Sequence, residues 1–382
     1  MRPKMICFLI HALVMQVIAA QNAFAQKKLI NQFFSSTPDS TRSASFLPLP
    51  VLGYAQETGF EFGVAPMYSF YTERTDTLTR SSSITGMATY TTEKQSNFFI
   101  KSDLWLPFNK FHITSELRYQ NFPFQFYGVG DHTRETDREM ITQKLFRASG
   151  EVEKQMAPGA YTGAAFSYEK YRYEMASQGP FLPNPYGVFD RDGGQVLYLG
   201  LSQILDSRNN NTYTTRGTFI KLAYSYAPDV FGGDNFTGSS TKVDVRTFKS
   251  FDSKKVLGVQ GIYKSLQGSR APFYLMPQLG DDSMMRGYYT GRYRDQNMLA
   301  LQTEFRYRFI PRLGAAAFAA AGTVYGNRQL NFRDIKPALG AGVRYFFDID
   351  RGLSVRVDYA VGEKPAGEKR LSGFYLSLGE AF

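Results

Sequence analysis

The chain has 382 residues, of which 43% are hydrophobic, 15% aromatic and only 20% charged, with a formal net charge of +10. This composition excludes disorder, which goes with few aromatic residues and high charge. It also excludes a polytopic helical membrane protein, which needs repeated runs of about 20 apolar residues, because the chain has a single, shorter apolar run, at its N-terminus.

Residues 1–25 have the pattern of a secretory signal peptide. Two basic residues precede an apolar run over 5–17, and Ala23-Phe24-Ala25 forms an A-x-A cleavage site. The alternative, a membrane anchor, is disfavoured because the apolar run is too short. Cleavage after Ala25 removes the only cysteine, Cys7, and with it any thiolate metal site or cysteine nucleophile. The net charge then becomes +8 (42 basic minus 34 acidic residues).

Residues 26–46 are rich in Ser and Thr and lack sustained periodicity, so we interpret them as a periplasmic linker. From 47 to 382, apolar and polar positions alternate with period two in stretches of roughly 8–15 residues, which predicts strands. We count sixteen of them, an even number. They lie at about 48–55, 59–72, 81–92, 95–106, 110–121, 140–154, 159–173, 194–206, 215–227, 240–252, 255–266, 295–308, 314–325, 335–347, 352–362 and 371–382.

The lengths of the connections differ between the two ends of the predicted strands. Turns after even-numbered strands are mostly short, whereas the long connections near 122–139, 174–193, 228–239 and 268–294 all follow odd-numbered strands. Short periplasmic turns and long external loops are typical of outer-membrane barrels. A soluble β-sandwich has no reason to sort its loops in this way.

The two faces of the predicted strands also differ in chemistry. One face carries charged residues, namely Glu304, Arg306, Arg308, Arg356 and Asp358. In the last strand we expect one apolar, lipid-facing set, namely Phe374, Leu376, Leu378 and Phe382. Charged side chains suit a water-containing lumen while apolar ones face lipid, and an open sheet edge in hydrocarbon costs several kcal/mol per unpaired group. The sequence therefore predicts an all-β fold, a transmembrane antiparallel β-barrel of 16 strands.

Several stretches are similar to one family of such barrels. They are DSRN at 206–209 with TRG at 215–217, LGDDSMMRGY at 279–288, QTEFRY at 302–307, VRVD at 355–358 and FYLSLGEAF at 374–382. Together they resemble the BamA/TamA-type outer-membrane β-barrel superfamily, the bacterial surface antigen family. The resemblance implies a Gram-negative outer-membrane protein and covers the whole chain from about residue 48.

The resemblance also implies that external loop 6, near 268–294, folds back into the lumen with Arg286-Gly287-Tyr288 at its tip. The aspartate that the family places opposite this arginine is Ala320 here. The partner of Arg286 therefore shifts to Glu304, with Asp358 as a second candidate. We call these five residues (286–288, 304 and 358) the loop lock; an ordinary exposed loop arginine is the alternative.

The C-terminal stretch is similar to the family's assembly signal, with Phe374, Gly379 and Phe382 as its marked residues. This implies that the barrel assembly machinery inserts the chain. The family carries periplasmic POTRA domains ahead of its barrel, and residues 26–46 are too few to hold one. We therefore expect a member without POTRA domains, with a periplasmic partner taking their place and with outer-membrane lipid and lipopolysaccharide around the barrel.

The sequence argues against an enzyme, a cofactor site and a nucleic-acid partner. A hydrolase usually needs a histidine base, and the mature chain offers only His112 and His132; we interpret Asp131-His132 as a polar loop. Two histidines without cysteine make no convincing metal cluster, and the glycines at 126–131 do not join a strand to a helix as a phosphate loop would. The basic residues are scattered, with no basic helix to bind nucleic acid.

Pro48 and Pro50 predict a weak point in the wall. Proline has no amide hydrogen, and residues two apart point their backbones toward the same neighbour, so one side of the first strand lacks two donors. That side faces either the second strand or the closing seam with the last strand, and we favour the seam. The alternative is that both prolines merely end the linker before a barrel that starts near 51.

These features favour a role in outer-membrane biogenesis or homeostasis, the insertion or translocation of protein or lipid through a weak seam between the first and last strands. A passive or gated transport pore is the alternative. A lumenal hydrolase is the least supported function.

Overall fold

The computed structural model of the protein describes residues 42–55, 59–175, 192–233, 235–268, 270–349 and 351–382. The predicted signal peptide, residues 26–41 of the predicted linker and the predicted first turn at 56–58 lie outside this set. In chain order the strands are β1 (Ser45–Ala55), β2 (Gly59–Phe70), β3 (Ser82–Thr91), β4 (Ser96–Trp105), β5 (Phe111–Phe126), β6 (Glu139–Ala157), β7 (Ala160–Met175), β8 (Gly193–Asp206), β9 (Gly217–Ala227), β10 (Gly238–Ser250), β11 (Lys255–Gln267), β12 (Gln278–Leu279), β13 (Tyr293–Arg294), β14 (Asn297–Ile310), β15 (Leu313–Tyr325), β16 (Lys336–Asp348), β17 (Leu353–Val361) and β18 (Ser372–Leu378).

Helical structure in the described residues consists of three single turns, Pro107–Asn109, Glu135–Asp137 and Phe332–Asp334. Within the same residues, no helix has the length and hydropathy needed to cross a membrane.

Sixteen of the strands form one antiparallel sheet that follows the chain from β1 to β18, with β12 and β13 set apart as a two-stranded ladder inside the loop that joins β11 to β14. The two end strands, β1 and β18, contact each other, so the sheet curls into a barrel. The prediction of an all-β fold with sixteen antiparallel strands is confirmed. β1 begins at Ser45, inside the predicted linker (26–46) and ahead of the predicted start of the barrel at 47, and β18 ends at Leu378 instead of 382.

The period of two decides which side chains enter the lumen. Along β14, Ala300, Gln302, Glu304 and Arg306 are buried inside, while Leu301 between them is exposed on the outer face. Apolar side chains thus face lipid and polar ones face the interior, the reverse of a soluble sheet.

The predicted apolar face of the last strand is wrong at its final member. Phe374 and Leu376 are exposed on the outer face, but Phe382 is buried inside against Phe248, with 5.7 Å between ring centroids. The cause is Gly379, whose φ of +76° turns the chain inward after β18 and breaks the alternation. The C-terminal residues after Gly379 therefore turn into the barrel at its periplasmic end and do not continue along the wall.

Candidate functional site

Loop 6 runs from β11 to β14 and lies inside the barrel, and Arg286 at its tip is buried. Its Nη1 donates to Oδ2 of Asp358 (2.6 Å) and its Nη2 to Oε2 of Glu304 (2.7 Å), with both carboxylate side chains fully buried. The guanidinium carbon also lies 3.3 Å from the ring centroid of Phe318. A buried arginine needs such partners because an unpaired charge in the interior is strongly destabilising.

The two carboxylates belong to a larger network of side chains that is buried except at Asp282. Arg306 donates to Oε1 of Glu304 (2.8 Å), and Arg344 reaches Oδ1 of Asp358 (2.5 Å) and Oε2 of Glu380 (3.0 Å). The remaining members are Arg356, which donates to Asp358, and Asp282, which accepts from Arg356. The network therefore holds four arginines and four carboxylates, so its formal charges balance.

Gly287 and Tyr288 let the loop tip approach the wall. Gly287 has a φ of +107°, and a Cβ there would lie 2.9 Å from the carbonyl carbon of Val361. Its amide donates to Oη of Tyr375 (2.9 Å), and Oη of Tyr288 donates to the carbonyl of Pro337 (2.5 Å). The triplet thus supplies a charge, a close backbone approach and an anchored ring.

Arg344, Tyr375 and Glu380 were not predicted as site residues, although all three contact the loop lock or its partners. The inward parity of β16 and β18 is the signal that indicates the first two. Ala320, which stands where the family's aspartate is expected, packs against the apolar part of loop 6. The loop arginine is paired without it.

Apolar packing fixes loop 6 to the wall on two further sides. Phe273 and Tyr274 join a buried cluster with inward residues at the external ends of β5, β6 and β7. Ala271 joins a second cluster with residues of β8, β9 and β11. The outer part of the lumen beside these strands is therefore filled by side chains.

The backbone register shows which way the missing donors of β1 face. The amide of Thr92 donates to the carbonyl of Phe60 (2.9 Å), so the even-numbered residues of β2 direct their backbones toward β3. Pro66 is one of them, and the β2–β3 ladder skips it. Pro48 lies directly opposite Pro66. Because opposite residues of an antiparallel pair bond to each other or both point away, Pro48 points away from β2.

Pro50, two residues on, has the same orientation, so both missing donors lie on the edge of β1 that faces β18. The prolines lie within β1, which pairs with β2 over its whole length. On the other side of the seam, the amide of Gly379, just after β18, donates to the carbonyl of Ser354 in β17 (2.7 Å). The odd-numbered residues of β18 therefore direct their backbones toward β17, and the even-numbered residues direct theirs toward β1.

At its periplasmic end the wall overlaps itself. Leu47 and Leu49, on the lumenal face of β1, share one buried cluster with Leu353 of β17. The partly buried members include Val355 and Leu378, which by alternation lie on the outer face of β17 and β18. The inner face of β1 therefore covers the outer face of the last strands, and the two edges do not meet side by side there.

A cavity of about 1200 Å³ connects the lumen to this overlap. On the far wall its lining is charged and ion-paired, for example Lys101 with Glu116 (3.2 Å). Near the seam its lining is largely apolar, with Val51, Met67, Met87, Val355, Leu376 and Leu378, and Glu61 and Ser377 are polar members there. Because Leu376 lies on the outer face of β18, the cavity continues past the edge of that strand.

The periplasmic side carries a contact between distant connections. Arg80, in the connection after β2, pairs with Asp206 at the end of β8 and stacks over Trp105. Asp206 also accepts from Arg208 (2.9 Å), so the DSRN motif holds a buried carboxylate between two arginines. Arg80 also donates to the carbonyl of Arg208 (3.0 Å), so the long connections 71–81 and 207–216 contact each other.

Neither candidate histidine is placed as a free base. Nδ1 of His112 lies 2.5 Å from Glu153 and its Nε2 lies 3.2 Å from Asp103, so both ring nitrogens face carboxylates. His132 is largely exposed, and its nearest acids are Asp131 (3.7 Å) and Asp334 (3.5 Å). These three could each offer one ligand atom to a cation, but they lie on open loop surface and we assign them no metal.

Comparison with protein families gives one match that covers most of the chain: the Omp85 superfamily domain, over residues 87–382. Among curated proteins none matches.

Several solved structures share the fold. BamA from Haemophilus ducreyi lacking POTRA domains 1–3 aligns with a TM-score of 0.57 at 11% identity, over 94% of this chain and 77% of that one. CdiB from Acinetobacter baumannii gives 0.54 at 10% (89% and 66%), and CdiB from Escherichia coli gives 0.55 at 10% (91% and 68%). The chain thus spans about two thirds of the CdiB proteins. At these identities the likeness concerns the fold alone.

Proposed function

The chain belongs to the Omp85 superfamily and folds as an outer-membrane β-barrel, and we propose that it acts in outer-membrane biogenesis or homeostasis by passing protein or lipid sideways through the β1–β18 seam. The observation that carries this proposal is the overlap of Leu47 and Leu49 with the outer face of β17 and β18. A seam held by side-chain packing opens without breaking a ladder of backbone hydrogen bonds.

Two further features support the same route. Pro48 and Pro50 withhold two donors from the seam edge, so a closed form of the wall would gain fewer hydrogen bonds there. The cavity has a charged side and an apolar side that meets the seam. A passage of this kind suits a client with both polar and apolar parts.

The alternative, a transport pore, is favoured by the size of the cavity. The apolar clusters around Phe273 and Ala271 oppose it, because they fill the external end beside β5–β9 and β11. We further propose that the protein is no enzyme, since His112 is held by two carboxylates, and that the barrel assembly machinery inserts it.

A seam-locking disulfide tests the proposal in cells that depend on the variant as their only copy. Locking β1 to β18 with a cysteine at 49 and another at 378 should cause the same loss of outer-membrane proteins or lipid as depletion, and a reductant should reverse it. The matched control is a cysteine pair at Ser102 and Ser115, which lie opposite each other in β4 and β5. A locked seam without any defect, with the control equally harmless, would contradict the proposal.

A further inference from the structure

The outer face of the barrel carries little charge, and its distribution is uneven. On the described strands, the charged residues that face outward near the periplasmic ends are Lys154, Lys249 and Lys255. Those near the external ends are Lys144, Lys170, Arg172 and Glu174, all on β6 and β7. One patch of the external rim is therefore basic. On the other described strands, no charged residue faces outward near the external end.

The register brings these side chains together. Lys144 lies directly opposite Arg172, and Phe146 lies opposite Lys170. Lys144 pairs with Glu174, whereas Lys170 and Arg172 are exposed and have no ion pair among the described residues. Like charges on neighbouring strands repel, so the patch keeps an excess of two positive charges that no ion pair among the described residues neutralises.

The patch lies at the depth of lipid head groups. Residues 160–168 of β7, from its periplasmic start to Tyr168, number nine, which is the length a tilted strand needs to cross the hydrocarbon. Tyr168 contacts Phe146 (6.2 Å between ring centroids) and Phe231 (5.9 Å). Aromatic girdles mark the boundary of the hydrocarbon, and Lys170 and Arg172 lie just beyond this one.

The end of the barrel concerned is the external one, since β6 and β7 meet there with the long connections 127–138 and 176–192, whereas 158–159 is a short turn. The lipid beside the patch is therefore outer-leaflet lipid. Arginine and lysine are the side chains that bind phosphate, by paired hydrogen bonds and as a point charge respectively.

We propose that Lys144, Lys170 and Arg172 form a binding site for the phosphorylated head group of an outer-leaflet glycolipid. The phosphate neutralises Lys170 and Arg172, which have no ion pair among the described residues, and the acyl chains lie along the apolar wall below the aromatic girdle. The site is far from the seam in the strand order, so it goes beyond the proposed function, and either can fail without the other.

Native mass spectrometry of the full barrel in detergent, with added bisphosphorylated lipid A, tests the site. The variant Lys144→Gln/Lys170→Gln/Arg172→Gln should retain the glycolipid at least about tenfold more weakly than the wild type. The matched control Lys154→Gln/Lys249→Gln/Lys255→Gln removes the same charge from the periplasmic rim and should bind within about twofold of the wild type. Heat-modifiable migration on gels checks that both variants are folded.

Dephosphorylated lipid A should bind the wild type and the external-rim variant equally weakly. The proposal is overturned if the two triple variants lose the glycolipid to the same degree, or if neither loses it. It is also overturned if excess inorganic phosphate displaces all glycolipid from the wild type but none from the control, because the displaced lipid would then have been bound at the periplasmic rim. Binding of the dephosphorylated lipid as tight as that of the phosphorylated one would overturn it as well.

Discussion

Arg286 and Asp358 are 72 residues apart in the chain and lie 2.6 Å apart, nitrogen to oxygen, in the interior of the barrel. One residue is at the tip of an external loop and the other on the inner face of β17. The pair therefore ties loop 6 to the wall near the seam.

Arg286→Ala should release the loop tip. The change leaves Asp358 and Glu304 short of one buried cation, and removal of one partner from a buried pair costs about 3–5 kcal/mol. Limited proteolysis of the folded barrel should show nicking within 270–296 where the wild type resists. Arg333→Ala, at an exposed loop position, serves as the control and should stay resistant; resistance of both variants would contradict lumenal anchoring.

Glu304→Ala should behave like Arg286→Ala, because it removes the other side of the same contact. The double variant should lose less stability than the sum of the two single variants, since residues in one network are not additive. Equilibrium unfolding in denaturant measures the three differences. Simple additivity would mean that the two side chains act independently.

Gly287→Ala tests the close approach at the tip. A methyl group there would meet the carbonyl carbon of Val361 at 2.9 Å, and the φ of +107° strains any other residue. We expect the same loop release as for Arg286→Ala, with a cost of at least about 1–3 kcal/mol. Gly367→Ala is the control, because it also has a positive φ (+77°) but open space around the added carbon. Equal effects would assign the loss to backbone strain alone.

The strands were predictable because lipid on one side and polar side chains on the other impose a period of two on almost every strand. The errors occur where a local feature overrides this period. The start of β1 at Ser45 was missed because Ser43 and Ser45 continue the Ser/Thr-rich composition of the predicted linker. The placement of Phe382 was wrong because Gly379 turns the chain inward.

Contacts between distant segments leave weaker traces in a sequence. Asp206 and Arg80 are 126 residues apart, and no periodicity links them. Arg344 had the right parity to enter the lumen but no motif to mark it. The inward position of Glu304 could be predicted, whereas the three arginines around it, Arg286, Arg306 and Arg344, follow from tertiary packing.

Planar-bilayer conductance separates lateral release from a pore. The wild type should show no steady ohmic channel, because side chains of loop 6 fill the external end beside β5–β7. Phe273→Ala/Tyr274→Ala should raise the conductance by removing two rings of that cluster. A large steady current through the wild type would favour the transport pore.

Acid should loosen the external loops through Glu368. Burial raises the pKa of Glu368, but hydrogen bonds from the Glu135 amide (2.7 Å) and from Arg292 (2.5 Å) outweigh it and hold the pKa below its ordinary value of 4.5. A carboxyl with a lowered pKa stabilises the folded state above its unfolded pKa, and this contribution is lost as the pH falls through the lower folded value. The protection factors for hydrogen exchange at 289–296, which correct for the intrinsic effect of pH on exchange, should therefore fall below pH 4.5.

Glu368→Gln is the control for this prediction. It should exchange faster than the wild type at pH 7 and lose the acid-dependent step. An unchanged step in the variant would assign the acid sensitivity to another group.

Disulfide trapping between Leu49 and Leu378 measures the overlap of the seam most directly. In an edge-to-edge wall, a lumenal side chain of β1 and an outer-face side chain of β18 point in opposite directions, whereas in the overlapped wall they share one apolar cluster. With Cys7 replaced by serine, Leu49→Cys/Leu378→Cys should crosslink readily in membranes, and Pro50→Cys/Leu376→Cys, both on the outer face, should crosslink poorly. Ready crosslinking of the outer-face pair and none of the first would show a closed, paired seam and contradict the proposed lateral route.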